Sequence, residues 1–148
     1  MCIIIDTSVA HRVLRSQTDE KYGGVSTELF SAKTNRVKLV YGGSKMTKEY
    51  GRASILVIVH QLRSAGRALR VPDEQVDTEQ DRITSCLNCQ SDDQHILALA
   101  LVSNARLLCT ADANLMADFK NKSIIDRPRG KIYGPTCHES LIRRCCSK

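Results

Sequence analysis

The apolar run Cys2-Ile3-Ile4-Ile5, which ends abruptly at Asp6, constrains the fold of this chain most. A continuous run of β-branched residues predicts a strand buried on both faces, and such strands occur in parallel sheets. Similar runs at 37–41 and 106–110, with shorter ones near Val71 and at 131–133, predict further strands. Helical patterns lie between them. This alternation predicts an α/β domain in which a central, mostly parallel sheet lies between helical layers.

The predicted helices fill the intervals between these strands. The longest covers 44–65, and Gly66 is expected to end it. Ser91, followed three residues later by Gln94, forms the pattern of a capping box and predicts a helix over 92–104. The other predicted helices cover 9–14, 27–32, 73–87, 114–121 and 138–146, and the glycine-containing segment 16–26 is predicted to be a loop or a break between helices.

Length and composition exclude several classes of protein. At 148 residues the chain is long enough to bury a sizeable core, and we expect a single domain over 1–148. No stretch reaches the ~18 apolar residues of a membrane span, and Asp6 interrupts the apolar opening too early for a signal peptide. We therefore expect a cytoplasmic protein without a membrane partner.

The cysteines allow a second kind of site. There are seven, an odd number without regular spacing, which favours reduced thiols over a disulfide framework. Cys86 and Cys89 have the spacing of half a zinc site. The pairs at 137–138 and 145–146 would have to complete it, and neither has the spacing of a second ligand pair. We expect packed or exposed thiols here, with structural zinc as the open alternative.

The net charge of +6 is unevenly distributed. Residues 73–93 contain seven acids and one basic residue, Arg82, while the segments 1–72 and 126–148 are basic. A basic chain with one concentrated acidic segment has the charge to attract phosphate and to hold a divalent cation. A basic solvated surface with an exposed acidic helix accounts for the same distribution.

Four acids from separate segments are predicted to meet at one edge of the sheet: Asp6, Glu49, Asp93 and Asp112. Two of them follow strands, and the other two lie early in helices that enter from the same edge. In open parallel sheets, functional groups collect at the carboxyl ends of the strands. Carboxylates brought together repel one another unless they share protons or bind a cation, and Mg²⁺ prefers oxygen ligands. The set therefore predicts a divalent metal site.

Each acid also has a purely structural interpretation. The three aspartates suit helix N-caps or the positive end of a helix dipole. Glu49 suits an ion pair with Lys45 or Arg52, which lie within one helical turn on its face. The same two cations are placed to contact substrate phosphates beside a metal. The structural interpretations do not account for the joint placement of the carboxylates.

The segments around these acids resemble the PIN domain, a metal-dependent nuclease fold of bacterial RNA toxins and RNA-processing factors. The matching segments are Ile-Ile-Ile-Asp-Thr-Ser at 3–8, Lys-Glu-Tyr at 48–50, Asp-Asp-Gln-His-Ile-Leu-Ala-Leu-Ala at 92–100 and Leu-Leu-Cys-Thr-Ala-Asp-Ala-Asn-Leu at 107–115. They occur in the family's order, and the resemblance covers nearly the whole chain. It implies a PIN-like three-layer α/β/α fold.

The resemblance also implies the roles of individual residues. The acids that would bind Mg²⁺ or Mn²⁺ and take part in hydrolysis of a phosphodiester are Asp6, Glu49, Asp93 and Asp112. Ser8 and Thr110 would orient the carboxylates through hydrogen bonds. Further candidate ligands are Asp92, Asn114 and Asp118. His95 follows the acidic pair closely and suits proton transfer or phosphate contact, although a histidine in this position is more often merely hydrogen-bonded.

The predicted function is that of a metal-dependent endoribonuclease that acts on RNA, with the toxin of a type II toxin–antitoxin pair as its context. A homodimer through helices of the first half and an antitoxin protein are the expected protein partners. The alternative is a catalytically weak PIN-fold module that binds RNA or assembles with other proteins. A haloacid-dehalogenase-type phosphatase is disfavoured because Ser8 stands where it needs a second Asp, and the acids of a receiver domain match poorly.

Overall fold

A parallel sheet forms the centre of the protein. The computed structural model describes residues 1–134. Its strands are β1 (Cys2–Ile5), β2 (Lys38–Gly42), β3 (Ala68–Val71), β4 (Leu107–Cys109) and β5 (Lys131–Ile132). All neighbouring strands pair in parallel, in the order β3-β2-β1-β4-β5. With helices flanking the sheet, the architecture confirms the predicted three-layer α/β/α class.

The helices within 1–134 are α1 (Thr7–Arg15), α2 (Gly23–Phe30), α3 (Ser44–Arg52), α4 (Leu56–Ser64), α5 (Asp73–Cys86), α6 (Gln94–Ser103) and α7 (Ala113–Lys120). In this part of the chain, none of them is long and apolar enough to cross a membrane. The helix predicted at 138–146 lies outside the described residues.

The core is built around β1 and β4. Ile3, Ile4 and Ile5 have no exposed surface, as the uninterrupted apolar run predicts, and each such burial is worth about 2 kcal/mol. Helix α6 is buried without interruption from His95 to Ala100, so its first turn is enclosed on nearly every side by apolar packing. A polar side chain at the start of α6 is therefore removed from water.

The strand order reverses between β1 and β4. The chain proceeds from β1 through β2 to β3 on one side of the sheet and then crosses to β4 and β5 on the other. Ligands of open α/β sheets bind in the crevice beyond the carboxyl ends of the strands at such a reversal. Asp6 and Thr110 directly follow these two strands, and the Asp6 amide donates to the Cys109 carbonyl at 2.9 Å.

The prediction of one helix over 44–65 is wrong, because α3 and α4 are separated at Ser54. The Ser54 amide donates to the Gly51 carbonyl and the Ile55 amide to the Tyr50 carbonyl, which is the bonding pattern of a Schellman motif. Ser54 takes the left-handed conformation, with φ of 57°. The sequence does not reveal this helix end, because serine occupies the position at which glycine normally ends a helix. The same motif ends α4 at Gly66, as predicted.

Helix α2 begins at Gly23, four residues earlier than the predicted start, because its glycines do not break it. The Asp19 carboxylate accepts from the amides of Lys21 and Tyr22, and the Gly23 amide donates to the Asp19 carbonyl. A Cβ at Gly23 would lie 2.9 Å from the Gln17 carbonyl oxygen. Gly23 is therefore needed because the backbone of Gln17 passes close to it, and not because the chain forms a loop there.

The capping box predicted at Ser91 is also wrong in its bonding. The Ser91 hydroxyl accepts from the Asp93 amide, and the Gln94 side chain donates to the Ser91 carbonyl, each at 3.0 Å. These bonds close a turn before the helix, so α6 begins at Gln94 and not at Asp92. The turn fixes the backbone on which Asp93 is carried.

We expect the Ser54→Gly variant to be more stable than wild type by about 0.5–1 kcal/mol, because glycine removes the cost of a left-handed L-residue. The reciprocal change, Gly66→Ser, is the matched control, since Gly66 has φ of 71° and a Cβ at that position would meet no other atom within 4 Å. It should lower the free energy of unfolding by about 1 kcal/mol in urea titrations. Destabilisation by Ser54→Gly would contradict this account of the helix break.

Candidate metal centre

Asp6 places a nearly buried carboxylate at the carboxyl end of β1. The side chain occupies the N-cap position of α1, but it makes no capping hydrogen bond, so the cap interpretation does not hold. Instead its Oδ2 accepts from the Ser8 hydroxyl at 2.5 Å and from the Thr110 hydroxyl at 2.8 Å. Only 5% of Asp6 is exposed. Hydroxyl donors from two segments thus hold the carboxylate where water has little access.

Glu49 reaches the same region from α3. Its Oε2 accepts from the Thr7 hydroxyl at 3.2 Å and lies 3.2 Å from Nε2 of His95. The next residue, Tyr50, is buried and donates its hydroxyl hydrogen to the carbonyl of Ile5. This bond ties α3 to the end of β1. Glu49 therefore faces the end of the central strand.

The start of α3 is fixed by two acids of α5. The Asp73 carboxylate accepts from the Gly43 amide at 3.1 Å, and the Asp77 carboxylate accepts from both the amide and the hydroxyl of Ser44. Anionic groups are stabilising at the positive end of a helix. Part of the acidic segment that the sequence assigned to a solvated helix thus positions the helix that carries Glu49.

Lys45 pairs with Asp93 and not with Glu49. Its Nζ lies 3.6 Å from Asp93 Oδ1 and donates to the main-chain carbonyl of Asp92 at 2.9 Å. The Asp92 residue is exposed, whereas the Asp93 side chain is only 24% exposed. Of the two adjacent aspartates, Asp93 is the one whose carboxylate faces the other site residues. Arg52, one turn beyond Glu49, is exposed.

His95 lies between two carboxylates. The residue is 1% exposed, with Nε2 near Glu49 and Nδ1 3.9 Å from Asp93 Oδ1. Burial lowers the pKa of His95 below its usual value, and Lys45 acts in the same direction, while the two carboxylates oppose them. The imidazole Nδ1 is buried and has no hydrogen-bond partner in the described structure.

Glu49, Asp93 and His95 form a group that fits a metal ion. Each offers one ligand atom, and these atoms lie within 4.8 Å of one another. The set combines carboxylate oxygens with a buried nitrogen acceptor that has no donor, and this chemistry fits a divalent cation. Within residues 1–134, neither Asp6 nor Asp112 belongs to this group. Asp6 is connected to it through Thr7, its neighbour in the chain.

Asp112 caps helix α7, as the structural interpretation of the aspartates predicts. Its Oδ1 accepts from the amides of Asn114 and Leu115 at 2.8 and 3.0 Å, at the start of α7. The Thr110 hydroxyl accepts from the Asp112 amide and donates to Asp6. Asn114 is exposed and enters this network through its backbone.

Asp118, one of the predicted extra ligands, holds the backbone before α6. The residue is 1% exposed, and its two oxygens accept from the amides of Gln90 and Ser91 at 3.0 and 2.8 Å. Because both oxygens are bound to the backbone, Asp118 anchors the segment that leads into Asp93.

Cys86 and Cys89 are free thiols at the end of α5 and in the following segment. The group of metal-compatible side chains found in the described part of the chain includes no cysteine. The residues that would complete the zinc alternative, at 137–138 and 145–146, lie outside the described residues.

Comparisons of the chain with family models, with curated proteins and with solved structures give no match. The chemistry of the centre is therefore inferred from its own side chains: carboxylates from three segments, a buried imidazole, three hydroxyl donors and one ammonium. Such a set can hold a hard or borderline cation and place an anionic ligand next to it.

Four contributors to this site were missed or underrated by sequence reasoning: Thr7, Asp73, Asp77 and His95. Thr7 was overlooked because it stands next to Asp6, and Asp73 and Asp77 because the whole α5 segment is acidic. For His95 there was a signal, since it lies on the first turn of the most apolar helix. A histidine in such a helix is buried and must find polar partners.

We expect the Asp118→Asn variant to lose about 1–3 kcal/mol of folding free energy, because an amide nitrogen would face a backbone N–H in place of an acceptor. The matched control is Asp81→Asn, at an exposed position of α5. It should change the free energy of unfolding by less than about 0.5 kcal/mol in the same urea titration. Equal stability of the two variants would show that Asp118 does not anchor the turn.

Proposed function

We propose that the protein is a metal-dependent endoribonuclease that hydrolyses RNA phosphodiester bonds. The observation that carries this proposal is the convergence of Glu49, Asp93 and His95 at the strand-order reversal, beside the buried Asp6. Enzymes of α/β architecture place their chemistry at this point of the sheet. The resemblance of the surrounding segments to the PIN domain supports the same proposal.

The carboxylates of Asp6, Glu49 and Asp93 would hold Mg²⁺ or Mn²⁺, and Asp112 would contribute from the start of α7. When bound, such an ion supplies Lewis acidity, which activates a water and stabilises the leaving oxygen of a phosphodiester. Ser8 and Thr110 hold the Asp6 carboxylate in one orientation through their hydroxyl groups. A fixed carboxylate costs less to reorganise when a ligand arrives.

Two cations would bind the phosphate backbone of the substrate. Lys45 is partly exposed beside Asp93, and Arg52 is exposed on the same helix. The net charge of +6 favours approach of a polyanion to the whole molecule. Contacts to phosphate position a nucleic acid without reading its sequence. These features favour a nucleic acid, and the resemblance to the PIN domain makes RNA the proposed substrate class.

The cellular setting is part of the proposal. We place the activity in the cytoplasm, where thiols stay reduced, because Cys86 and Cys89 form no disulfide within the described residues. We propose a homodimer through helices of the first half, where Phe30 and Val57 expose large apolar side chains. A toxin–antitoxin context would add an antitoxin protein as partner.

A second candidate function is a PIN-fold module that binds RNA or assembles with little catalysis. One observation favours it: Asp112 already uses Oδ1 to cap α7, so this acid has a structural role without any metal. In that case Lys45 and Arg52 would still bind RNA, but the acids would contribute little to its hydrolysis. The two functions differ in whether bound RNA is cleaved.

Cleavage of a labelled RNA with Mg²⁺ or Mn²⁺ tests the proposal. The Asp6→Asn and Asp93→Asn variants should each cleave at least ~100-fold more slowly than wild type, because each loses a carboxylate charge at the centre. Asp81→Asn is the matched control and should cleave like wild type. EDTA should abolish the wild-type activity.

Wild-type rates in both site variants would overturn the catalytic assignment. Binding of RNA by wild type without cleavage in either metal would favour the second candidate function. Circular dichroism of each variant shows whether a loss of rate comes from a loss of fold.

A further inference from the structure

The surroundings of the His95 imidazole involve more than its hydrogen bond to Glu49. Only 1% of the residue is exposed, and its ring nitrogens face two different carboxylates. Nε2 lies 3.2 Å from Glu49 Oε2, a normal hydrogen-bond distance. Nδ1 faces Asp93 Oδ1 across 3.9 Å, which is too far for a hydrogen bond.

The bond to Glu49 determines the tautomer. Histidine binds metal ions as the neutral imidazole, and a carboxylate only accepts, so in the metal-binding form the ring hydrogen must be on Nε2. Nδ1 then carries a lone pair and faces another acceptor, Asp93 Oδ1. It has no hydrogen-bond partner among the described residues, although it is fully buried. Two acceptors that face each other require something electropositive between them.

Lys45 does not fill this role. Its Nζ lies 3.6 Å from Asp93 Oδ1, but its hydrogen bond is made to the Asp92 carbonyl at 2.9 Å. The ammonium therefore pairs with Asp93 but gives no hydrogen bond to Nδ1 of His95. A cation bound between Asp93 and His95 would be held by atoms already in place.

We propose that His95 Nδ1 and Asp93 Oδ1 are direct ligands of one metal ion, that Glu49 orients the imidazole through Oε2 and has only Oε1 left for a metal, and that this centre binds Mn²⁺ in preference to Mg²⁺. Bonds of about 2.1 Å to one ion place two ligand atoms at most about 4.2 Å apart, and the observed 3.9 Å lies within that limit. Metal-bound histidines commonly donate their second ring N–H to a carboxylate.

The preference for Mn²⁺ over Mg²⁺ follows from the nitrogen ligand, Nδ1 of His95. Mg²⁺ is a hard ion that binds oxygen and keeps its waters, whereas imidazole is a better ligand for transition-metal ions. Mixed oxygen and nitrogen ligation therefore favours Mn²⁺ over Mg²⁺. The inference rests on the proposed metal centre, but it does not require that the centre cleaves RNA.

The test uses the full chain loaded with Mn²⁺ alone. Electron paramagnetic resonance of free Mn²⁺ gives the affinity, and electron spin echo modulation detects a directly bound ¹⁴N nucleus. His95→Gln keeps an N–H near the Nε2 position for Glu49 and removes Nδ1. The matched control is His11→Gln, at an exposed position of α1. Mg²⁺ affinity is obtained by competition against Mn²⁺.

Wild type and His11→Gln should show nitrogen modulation and bind Mn²⁺ at least ~10-fold more tightly than Mg²⁺. His95→Gln should lose the modulation and ~10-fold or more in Mn²⁺ affinity, with a smaller change for Mg²⁺. Circular dichroism checks that this variant folds.

Mn²⁺ bound to wild type without nitrogen modulation would overturn the inference, whether or not His95→Gln folds. Equal losses of Mn²⁺ and Mg²⁺ affinity in a folded His95→Gln would overturn the metal preference. Nitrogen modulation in a protein that does not cleave RNA would leave this inference standing and would contradict only the proposed nuclease function.

Discussion

The nearly buried carboxylate of Asp6 is the constraint on which the rest of the centre depends. A charge removed from water is costly unless hydrogen bonds or a counterion compensate it. Ser8 and Thr110 supply the hydrogen bonds, and Thr110 also accepts from the amide of Asp112. The ends of β1 and β4 and the start of α7 are thereby joined through one carboxylate and one hydroxyl. This junction lies where the strand order reverses. The buried charge of Asp6 therefore needs compensation at the point of the sheet where ligands of such folds bind.

A second layer of acids holds the backbone that carries the site. Asp77 fixes the first residue of α3, Asp118 fixes the turn before Asp93, and Asp112 fixes the start of α7. In each case a carboxylate accepts from amides that have no partner within a helix or strand. The acidic residues of this chain thus divide into a group that positions the backbone and a group whose oxygens face one another around His95. Composition alone does not separate them.

The fold was largely predictable because its three central strands are almost fully buried, whereas most of the described helices bury only one side. Uninterrupted apolar runs identified β1, β2 and β4, and strong breaks such as Gly66 ended helices where expected. The errors in the helix boundaries occurred where backbone hydrogen bonds, and not the residue type that usually marks a helix end or a loop, determine the structure. Ser54 adopts a left-handed conformation that normally calls for glycine, and the glycine at the start of α2 serves close backbone approach. In both cases the backbone bonds join residues at most five apart, and the residue type alone does not show that they form.

By itself, the sequence determined a parallel α/β sheet and placed acids at the ends of its strands, because hydrophobic periodicity and the order of the elements are properties of the chain. Tertiary structure decided which acids face one another. It directed Asp112 and Asp118 to backbone amides and brought Glu49, Asp93 and His95 together from positions distant in sequence. It also decided the state of His95, since only the packing around α6 removes its ring from water and leaves Nδ1 without a donor. Side-chain burial and long-range hydrogen bonding depend on which segments meet in space, and no local pattern contains that information.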